Sequence, residues 1–182
     1  MERQAKGIAM ELKDRKIAVF IAELYEDLEF WYPVLRMKEA GAGVDSIGPE
    51  AAEYRGKHGL GGRADMGIEE AGPGDYDALI IPGGYAPDHM RRSGEMIDFV
   101  RKVDSGGGII AAICHGPWML ASAEIIEGKE VTSFFSIRDD LVHAGANWVD
   151  REVARDGNII TSRMPGDLPA FCRSVIDAVA EG

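Results

Sequence analysis

Short, fully apolar runs alternate along this chain with longer stretches of helical periodicity. Runs of this length are typical of strands buried on both faces of a sheet. Alternating strands and helices predict an α/β fold, a mostly parallel central sheet with helices on both faces and right-handed crossovers. The predicted strands are residues 17–22, 44–47, 77–84 (ending in a turn), 109–114, 130–134 and 158–162. The predicted helices are residues 27–40, 90–104, 116–122, 137–144 and 167–179.

The candidate linkers are short glycine-rich turns, so the sequence predicts an N-terminal extension at residues 1–15 and one domain at 16–182. A net charge of −11 opposes binding to nucleic acid and to anionic membranes. No apolar run reaches the ~18 residues that a membrane span needs. Two cysteines and a start without an apolar signal core lead us to expect a cytoplasmic protein.

Three predicted strand ends carry reactive or flexible residues, at positions 22–26, 82–84 and 114–115. In open parallel sheets, ligands bind beyond the carboxyl ends of the strands. Three such ends that converge are a stronger signal of a site than any one alone. We therefore expect the functional site at this edge of the sheet.

Cys114 is the candidate nucleophile. It stands between an apolar strand and a helix, with Ala112 two residues before it and Gly116 two after, as on a nucleophile elbow. The amino end of the following helix favours a thiolate, so the location by itself should activate the sulfur. The alternative is a buried core cysteine at a strand end.

The neighbours of Cys114 supply further candidates. His115 can act as a general base or simply cap the helix. The Gly83-Gly84 pair can place a backbone amide near an oxyanion, or form an ordinary turn. Among the acidic residues of segment 23–29, most are expected to cap a helix, but one carboxyl near the thiol could share its proton.

Other polar residues carry weaker signals. The glycine-rich segment 56–62 lacks phosphate-loop and dinucleotide spacing, and the four histidines lack metal-ligand spacing, so no cofactor or metal is expected. Cys172 lies in a helical pattern and is interpreted as core. The three tryptophans are interpreted as packing residues.

Several segments together resemble the ThiJ/PfpI family, in particular its PfpI-type intracellular proteases. The resemblance runs from about Lys16 to the C-terminus and includes the segments Ala-Ile-Cys-His-Gly-Pro at 112–117, Pro-Gly-Gly-Tyr-Ala-Pro at 82–87 and Gly-Lys-His-Gly at 56–59. It implies a three-layer flavodoxin-like sandwich. Phe134 departs from close relatives, which often have a tyrosine there.

The resemblance also implies roles for individual residues. Cys114 matches the family nucleophile, and Glu26 matches the glutamate that hydrogen-bonds its thiol. Gly84 matches an oxyanion-hole glycine, with the amide of His115 as the second donor. His115 matches the triad histidine, whose acidic partner comes from a neighbouring subunit and is Asp88 here, where many relatives have glutamate.

The activities described for the family imply that this chain is a cysteine hydrolase that attacks a carbonyl. It would act as an intracellular peptidase, or as a glutathione-independent glyoxalase or deglycase on methylglyoxal-type substrates. Small carbonyl compounds or peptides would be the substrates. Peptidase members are homo-oligomers, with dimers assembled three to a hexamer. The alternative is a non-enzymatic stress or chaperone protein that uses a reactive cysteine as a redox sensor.

Overall fold

A seven-stranded sheet organises residues 11–182, the part of the chain that the computed structural model describes. The strands are β1 (Lys16–Phe20), β2 (Gly43–Gly48), β3 (Glu53–Arg55), β4 (Gly61–Arg63), β5 (Met66–Gly67), β6 (Ala78–Ile81), β7 (Ile109–Ile113), β8 (Glu130–Val131), β9 (Asn147–Trp148), β10 (Val153–Asp156) and β11 (Ile159–Ser162). The helices are α1 (Asp27–Glu39), α2 (Ala86–Met90), α3 (Gly94–Ser105), α4 (Pro117–Ser122), α5 (Arg138–His143) and α6 (Leu168–Glu181).

The central sheet has the strand order β10-β11-β7-β6-β1-β2-β5, and every pair is parallel except β10 with β11. Its middle strands are buried throughout, because helices cover both faces. The predicted α/β fold with a mostly parallel sheet is therefore confirmed.

The helices divide between the two faces according to the direction in which the chain crosses the sheet. The step from β1 to β2 runs one way along the sheet and the step from β6 to β7 runs the other way. Right-handed crossovers therefore place α1 and α3 on opposite faces. α6 packs against α1, while α4 packs against α3. The reversal of direction between β1 and β6 opens a crevice at their carboxyl ends.

Some predicted elements differ from the observed ones. Residues 130–134 do not join the central sheet, because β8 pairs with β9 in a separate two-stranded sheet. β10 was not predicted, since an edge strand exposed on one side lacks a continuous apolar run. The helix predicted at 90–104 corresponds to α3, which starts later, at Gly94, with the Ser93 side chain as its cap; Met90 is the last residue of the separate short helix α2.

Part of the predicted N-terminal extension packs on the domain. Leu12 is fully buried, and its amide donates to the carbonyl of Ala40. Arg15 pairs with Asp77 at 3.0 Å, just before β6. Residues 1–10 lie outside the described residues, and the boundary between extension and domain stays a prediction.

None of the helices within residues 11–182 has the length and apolar character that crossing a membrane requires.

Candidate active site

Cys114 occupies a strained turn between β7 and α4. Its φ of 62° lies in the left-handed region, which a residue with a side chain rarely adopts. Close packing explains the small residue that follows: a Cβ on Gly116 would lie 2.5 Å from the carbonyl oxygen of Ile81. Backbone strain of this kind costs on the order of 1–3 kcal/mol and occurs often at functional sites. The geometry is that of a nucleophile elbow.

The backbone amides of Gly84 and His115 lie near enough to the Cys114 sulfur to lower its pKa. Gly84 has a φ of 76° and pairs with Tyr25 in an isolated bridge. A Cβ at Gly84 would lie 2.4 Å from the Leu24 carbonyl oxygen, so the approach requires glycine. The structure thus brings together the two amides expected to form the oxyanion hole.

The carboxyl group beside the thiol belongs to Glu29, so the expectation that Glu26 contacts the sulfur is wrong. Glu29 is fully buried, and its Oε2 accepts the Gly83 amide at 2.8 Å. A Cβ built on Gly83 would meet both Glu29 Oε2, at 2.6 Å, and the Cys114 sulfur, at 3.0 Å. Glu29 Oε1 is buried without a hydrogen-bond partner. A protonated Oε1 is therefore free to donate towards the sulfur.

Glu26 contacts other groups, because it lies immediately before α1 and both of its carboxylate oxygens have partners there. Its Oε2 accepts the Glu29 amide at 2.9 Å, which makes it the N-cap of the helix. Its Oε1 lies 3.6 Å from Nε2 of His58. Glu29, interpreted from the sequence as a cap, lies one helical turn further on and points at the sheet edge. The i, i+3 spacing places both glutamates on one side of the helix start and does not indicate which of them approaches the sulfur.

The thiol and the Glu29 carboxyl are both harder to ionise than in water. Burial, with the negative charge of Glu26, raises the pKa of Glu29 to about 8. Burial, with the charge of Glu29 when ionised, raises the pKa of the Cys114 thiol to about 12, against the pull of the two amides. The expectation that location alone activates the thiol is therefore wrong, since desolvation outweighs the amides. Activation requires a neighbouring base.

His115 is placed to be that base. Its Nδ1 lies 3.2 Å from the Cys114 sulfur, and its Nε2 lies 3.3 Å from the hydroxyl of Ser136. The ring stacks on Phe134 with centroids 5.3 Å apart and meets Trp118 edge-on at 5.1 Å. Burial, with the charge of Lys57, lowers the pKa of His115. The imidazole is therefore neutral at pH 7 and can accept a proton.

Asp88, expected to orient His115 from a neighbouring subunit, lies on α2. Within the described chain its carboxylate pairs with Arg92, one turn along. The polar partner of His115 Nε2 in this chain is Ser136. Contact between Asp88 and the histidine of another subunit stays a prediction.

The sulfur opens into a cavity of about 210 Å³. The lining residues are Glu26, Glu29, Lys57, Gly84, Tyr85, Cys114, His115, Trp118, Phe134 and Pro165. Sequence reasoning assigned no site role to Lys57, Tyr85 or Pro165, and interpreted Trp118 as packing. These residues come from separate segments of the chain, which only the fold brings to one edge of the sheet.

No group of three or more His, Cys, Asp or Glu side chains within residues 11–182 is arranged to hold a metal ion. Both cysteines of the chain are free thiols, with Cys172 buried in α6. The groups around the Cys114 sulfur are an imidazole, a carboxyl group and backbone amides.

Known proteins are similar in sequence to most of this chain. The DJ-1/PfpI family model matches residues 15–178. Deglycase PfpI of Pyrococcus furiosus is 42% identical over 161 residues, which cover 88% of this chain and 97% of that protein. The Bacillus subtilis protein named "Putative cysteine protease YraA" is 42% identical over 164 residues, which cover 90% of this chain and 97% of that protein.

Solved structures share the fold. Drosophila melanogaster DJ-1beta superposes with a TM-score of 0.86 at 30% identity, covering 92% of this chain and 91% of that one. A two-domain protein of Anabaena variabilis, with DJ-1/ThiJ/PfpI-like and ferritin-like domains, gives a TM-score of 0.89 at 40% identity. That match covers 90% of this chain and 48% of the two-domain chain. These likenesses identify the predicted flavodoxin-like sandwich, and the chain belongs to the DJ-1/PfpI family.

Proposed function

We propose that this protein is a cysteine-dependent hydrolase of the PfpI type that acts on small carbonyl compounds. One observation carries the proposal, the set of groups around the Cys114 sulfur. His115 Nδ1 lies 3.2 Å from the sulfur, and the amides of Gly84 and His115 lie near enough to lower its pKa. A nucleophile, a base within hydrogen-bond reach and two oxyanion donors are the parts that addition to a carbonyl requires.

The first step is addition of the thiol to the carbonyl carbon. His115 Nδ1 takes the thiol proton while the Cys114 sulfur forms a bond to that carbon. The π electron pair of the carbonyl moves to its oxygen, which accepts hydrogen bonds from the amides of Gly84 and His115. Loss of one such donor typically costs ~10²–10³ in rate. The hydrogen on the carbon of this adduct moves to the neighbouring carbonyl carbon, whose oxygen takes the proton held by His115, and the adduct becomes a thioester with no net change of oxidation level. Water then attacks the thioester carbon with His115 as base, the carbon–sulfur bond breaks, and the sulfur leaves with the proton from His115.

Glu29 takes the role that the family resemblance implied for Glu26. With a pKa raised to about 8, its carboxyl is mostly protonated at pH 7. A protonated carboxyl beside the sulfur donates a hydrogen bond to negative charge as the thiol ionises. An ionised carboxyl at the same place repels that charge. Glu29 therefore assists the reaction in its neutral form.

The size of the cavity supports a small substrate. A volume of about 210 Å³ lies below the ~300–1,000 Å³ that sites for drug-sized ligands occupy. Methylglyoxal, or its adduct on an amino or thiol group, presents only a few heavy atoms to the sulfur. The Pyrococcus furiosus relative carries the name deglycase, which supports the same substrate class. A peptidase would need an open groove that accepts an extended chain.

The proposal includes assembly into a cytoplasmic homo-oligomer, a dimer or a hexamer of three dimers. In such an assembly Asp88 of a neighbouring subunit orients His115, taking the place that Ser136 holds within one chain. Asp88 is half exposed and its present partner, Arg92, is exposed, so the pair can part at little cost. Light scattering tests the assembly, and a strict monomer contradicts the role of Asp88.

The deciding experiment compares two cysteine variants with the wild type. Cys114→Ala removes the nucleophile, and Cys172→Ala removes the other thiol, which is buried in α6. Methylglyoxal loss and cleavage of fluorogenic peptides are measured side by side. We expect Cys114→Ala to lower methylglyoxal turnover by at least ~10³ and Cys172→Ala to leave it within a few-fold. Equal activity of Cys114→Ala and wild type contradicts the proposal.

The non-enzymatic redox sensor has weaker support. Selective oxidation favours an accessible thiolate, whereas Cys114 is 6% exposed and its thiol pKa is raised. The sensor is the better explanation if the wild type turns over neither substrate while peroxide oxidises Cys114 selectively and alters binding of a partner.

A further inference from the structure

One cationic side chain, Lys57, lines the cavity into which the Cys114 sulfur opens. The other ionisable groups of that lining are Glu26, Glu29, Tyr85, Cys114 and His115. Within residues 11–182, the ammonium of Lys57 has no carboxylate within ion-pair distance. A positive charge at the mouth of a reactive cavity is therefore left available to a ligand.

Hydrogen bonds to Tyr25 and Asp27 fix the loop that carries Lys57. The Lys57 amide donates to the carbonyl of Tyr25 at 2.9 Å. The Asp27 carboxylate accepts the amides of His58 at 2.9 Å and Leu60 at 2.8 Å. Asp27 is itself buried, so the loop is fixed to the start of α1. The base of the Lys57 side chain thus has a defined position relative to the cavity.

Neither acid of the cavity forms an ion pair with the lysine within residues 11–182. Glu29 is mostly protonated at pH 7, and the Glu26 carboxylate accepts the Glu29 amide and lies 3.6 Å from His58. The charge of Lys57 reaches the reaction centre, since it helps to lower the pKa of both Glu29 and His115. A chain with a net charge of −11 otherwise repels anions, so this cation is conspicuous.

We propose that Lys57 is a specificity-determining residue, which binds a carboxylate or phosphate on the substrate and selects carbonyl compounds that carry an anionic group near the reacting carbon. An ammonium on a flexible stem suits a point contact with an anion. The inference rests on the proposed function in one respect, that Cys114 is the group that reacts with the carbonyl.

Charge-selective alkylation tests this without requiring turnover. In a Cys172→Ala background Cys114 is the sole thiol, and its rates with iodoacetate, an anion, and iodoacetamide, a neutral reagent of similar size, are measured at pH 7. Their ratio cancels changes in thiol reactivity. Lys57→Gln removes the charge, Lys57→Arg keeps it, and Lys102→Gln removes a charge from α3 as the matched control.

We expect Lys57→Gln to lower the iodoacetate-to-iodoacetamide ratio about 3- to 5-fold, the strength of a partly exposed ion pair. Lys57→Arg and Lys102→Gln should leave the ratio within 2-fold of the parent, in keeping with that same range. A ratio unchanged in Lys57→Gln overturns the inference and leaves the proposed function intact. Failure of Cys114 to react with either reagent overturns both.

Binding of an anionic aldehyde gives the second measurement. Lys57→Gln should raise the inhibition constant of glyoxylate, which carries a carboxylate beside its aldehyde, by a larger factor than it changes the KM for methylglyoxal. An equal effect on both compounds assigns Lys57 a general role in the fold of the loop and contradicts the selection of anions.

Discussion

Replacing Glu29 by glutamine should change how the stability of this protein depends on pH. Glutamine has the same shape, and its carbonyl oxygen can accept the Gly83 amide that Glu29 Oε2 accepts at 2.8 Å. The substitution removes only the ability to ionise. Any pH-dependent difference between the variant and the wild type therefore reports the proton held at this buried site.

The magnitude follows from the raised pKa of Glu29. The carboxyl has a pKa of about 8 in the fold against an ordinary value of 4.5, so between these values the folded state holds a proton that the unfolded state has lost. Stability falls as pH rises wherever the folded state binds more protons. Integration from pH 5 to pH 8 gives a loss of about 3–4 kcal/mol in the wild type that Glu29→Gln escapes.

The expectation does not depend on which atom of the pair carries the proton. Glu29 and Cys114 are coupled, so the first proton lost belongs to the pair and not to one group. Whether the remaining proton lies on oxygen or on sulfur, the folded pair holds two protons up to about pH 8 while the unfolded chain holds one above about pH 5. The sign of the pH dependence is the same in both cases.

Urea unfolding at pH 5, 6, 7 and 8 measures the effect, with the wild type and Glu29→Gln compared at each pH. The free energy of unfolding of the variant should rise relative to the wild type by about 3–4 kcal/mol across the series. Glu39→Gln is the matched control on the same helix, because Glu39 is exposed and stays hydrated in both states. Its difference from the wild type should stay constant with pH. A constant difference for Glu29→Gln as well refutes the buried, protonated carboxyl.

Three further predictions concern activity and the turns around the site. With Glu29 needed in its neutral form, kcat/KM should fall as pH rises through about 8 in the wild type, and pH–rate profiles should lack this alkaline limb in Glu29→Gln. Gly84→Ala should lower both activity and stability, since its Cβ would lie 2.4 Å from the Leu24 carbonyl oxygen. The control Gly94→Ala, which has open space around its Cβ, should change neither the kinetics nor the melting temperature. Asp27→Ala should cost about 2–4 kcal/mol in urea unfolding through two lost hydrogen bonds to the loop that carries Lys57, and an unchanged unfolding midpoint would contradict that anchoring role.

Much of this protein could be predicted from local sequence pattern. Fully apolar runs identify strands buried on both faces, and their alternation with helical segments leaves few arrangements other than a mostly parallel sheet. The same logic placed Cys114, His115 and Gly84 at converging strand ends, because a parallel sheet has all its carboxyl ends at one edge. The edge strand β10 could not be predicted in this way, because it is only partly buried and lacks a continuous apolar run.

The choice between Glu26 and Glu29 belonged to the tertiary structure. Both glutamates stand at the start of α1, and the sequence contains no signal for which of them the strand end of β6 approaches. Packing decides it: Gly83 lies against Glu29 and leaves Glu26 to cap the helix. The ionisation of the site was decided in the same way, because desolvation depends on how many atoms from distant segments surround a group. Sequence alone determined which residues could react, and the burial created by folding determined which of them hold a proton at neutral pH.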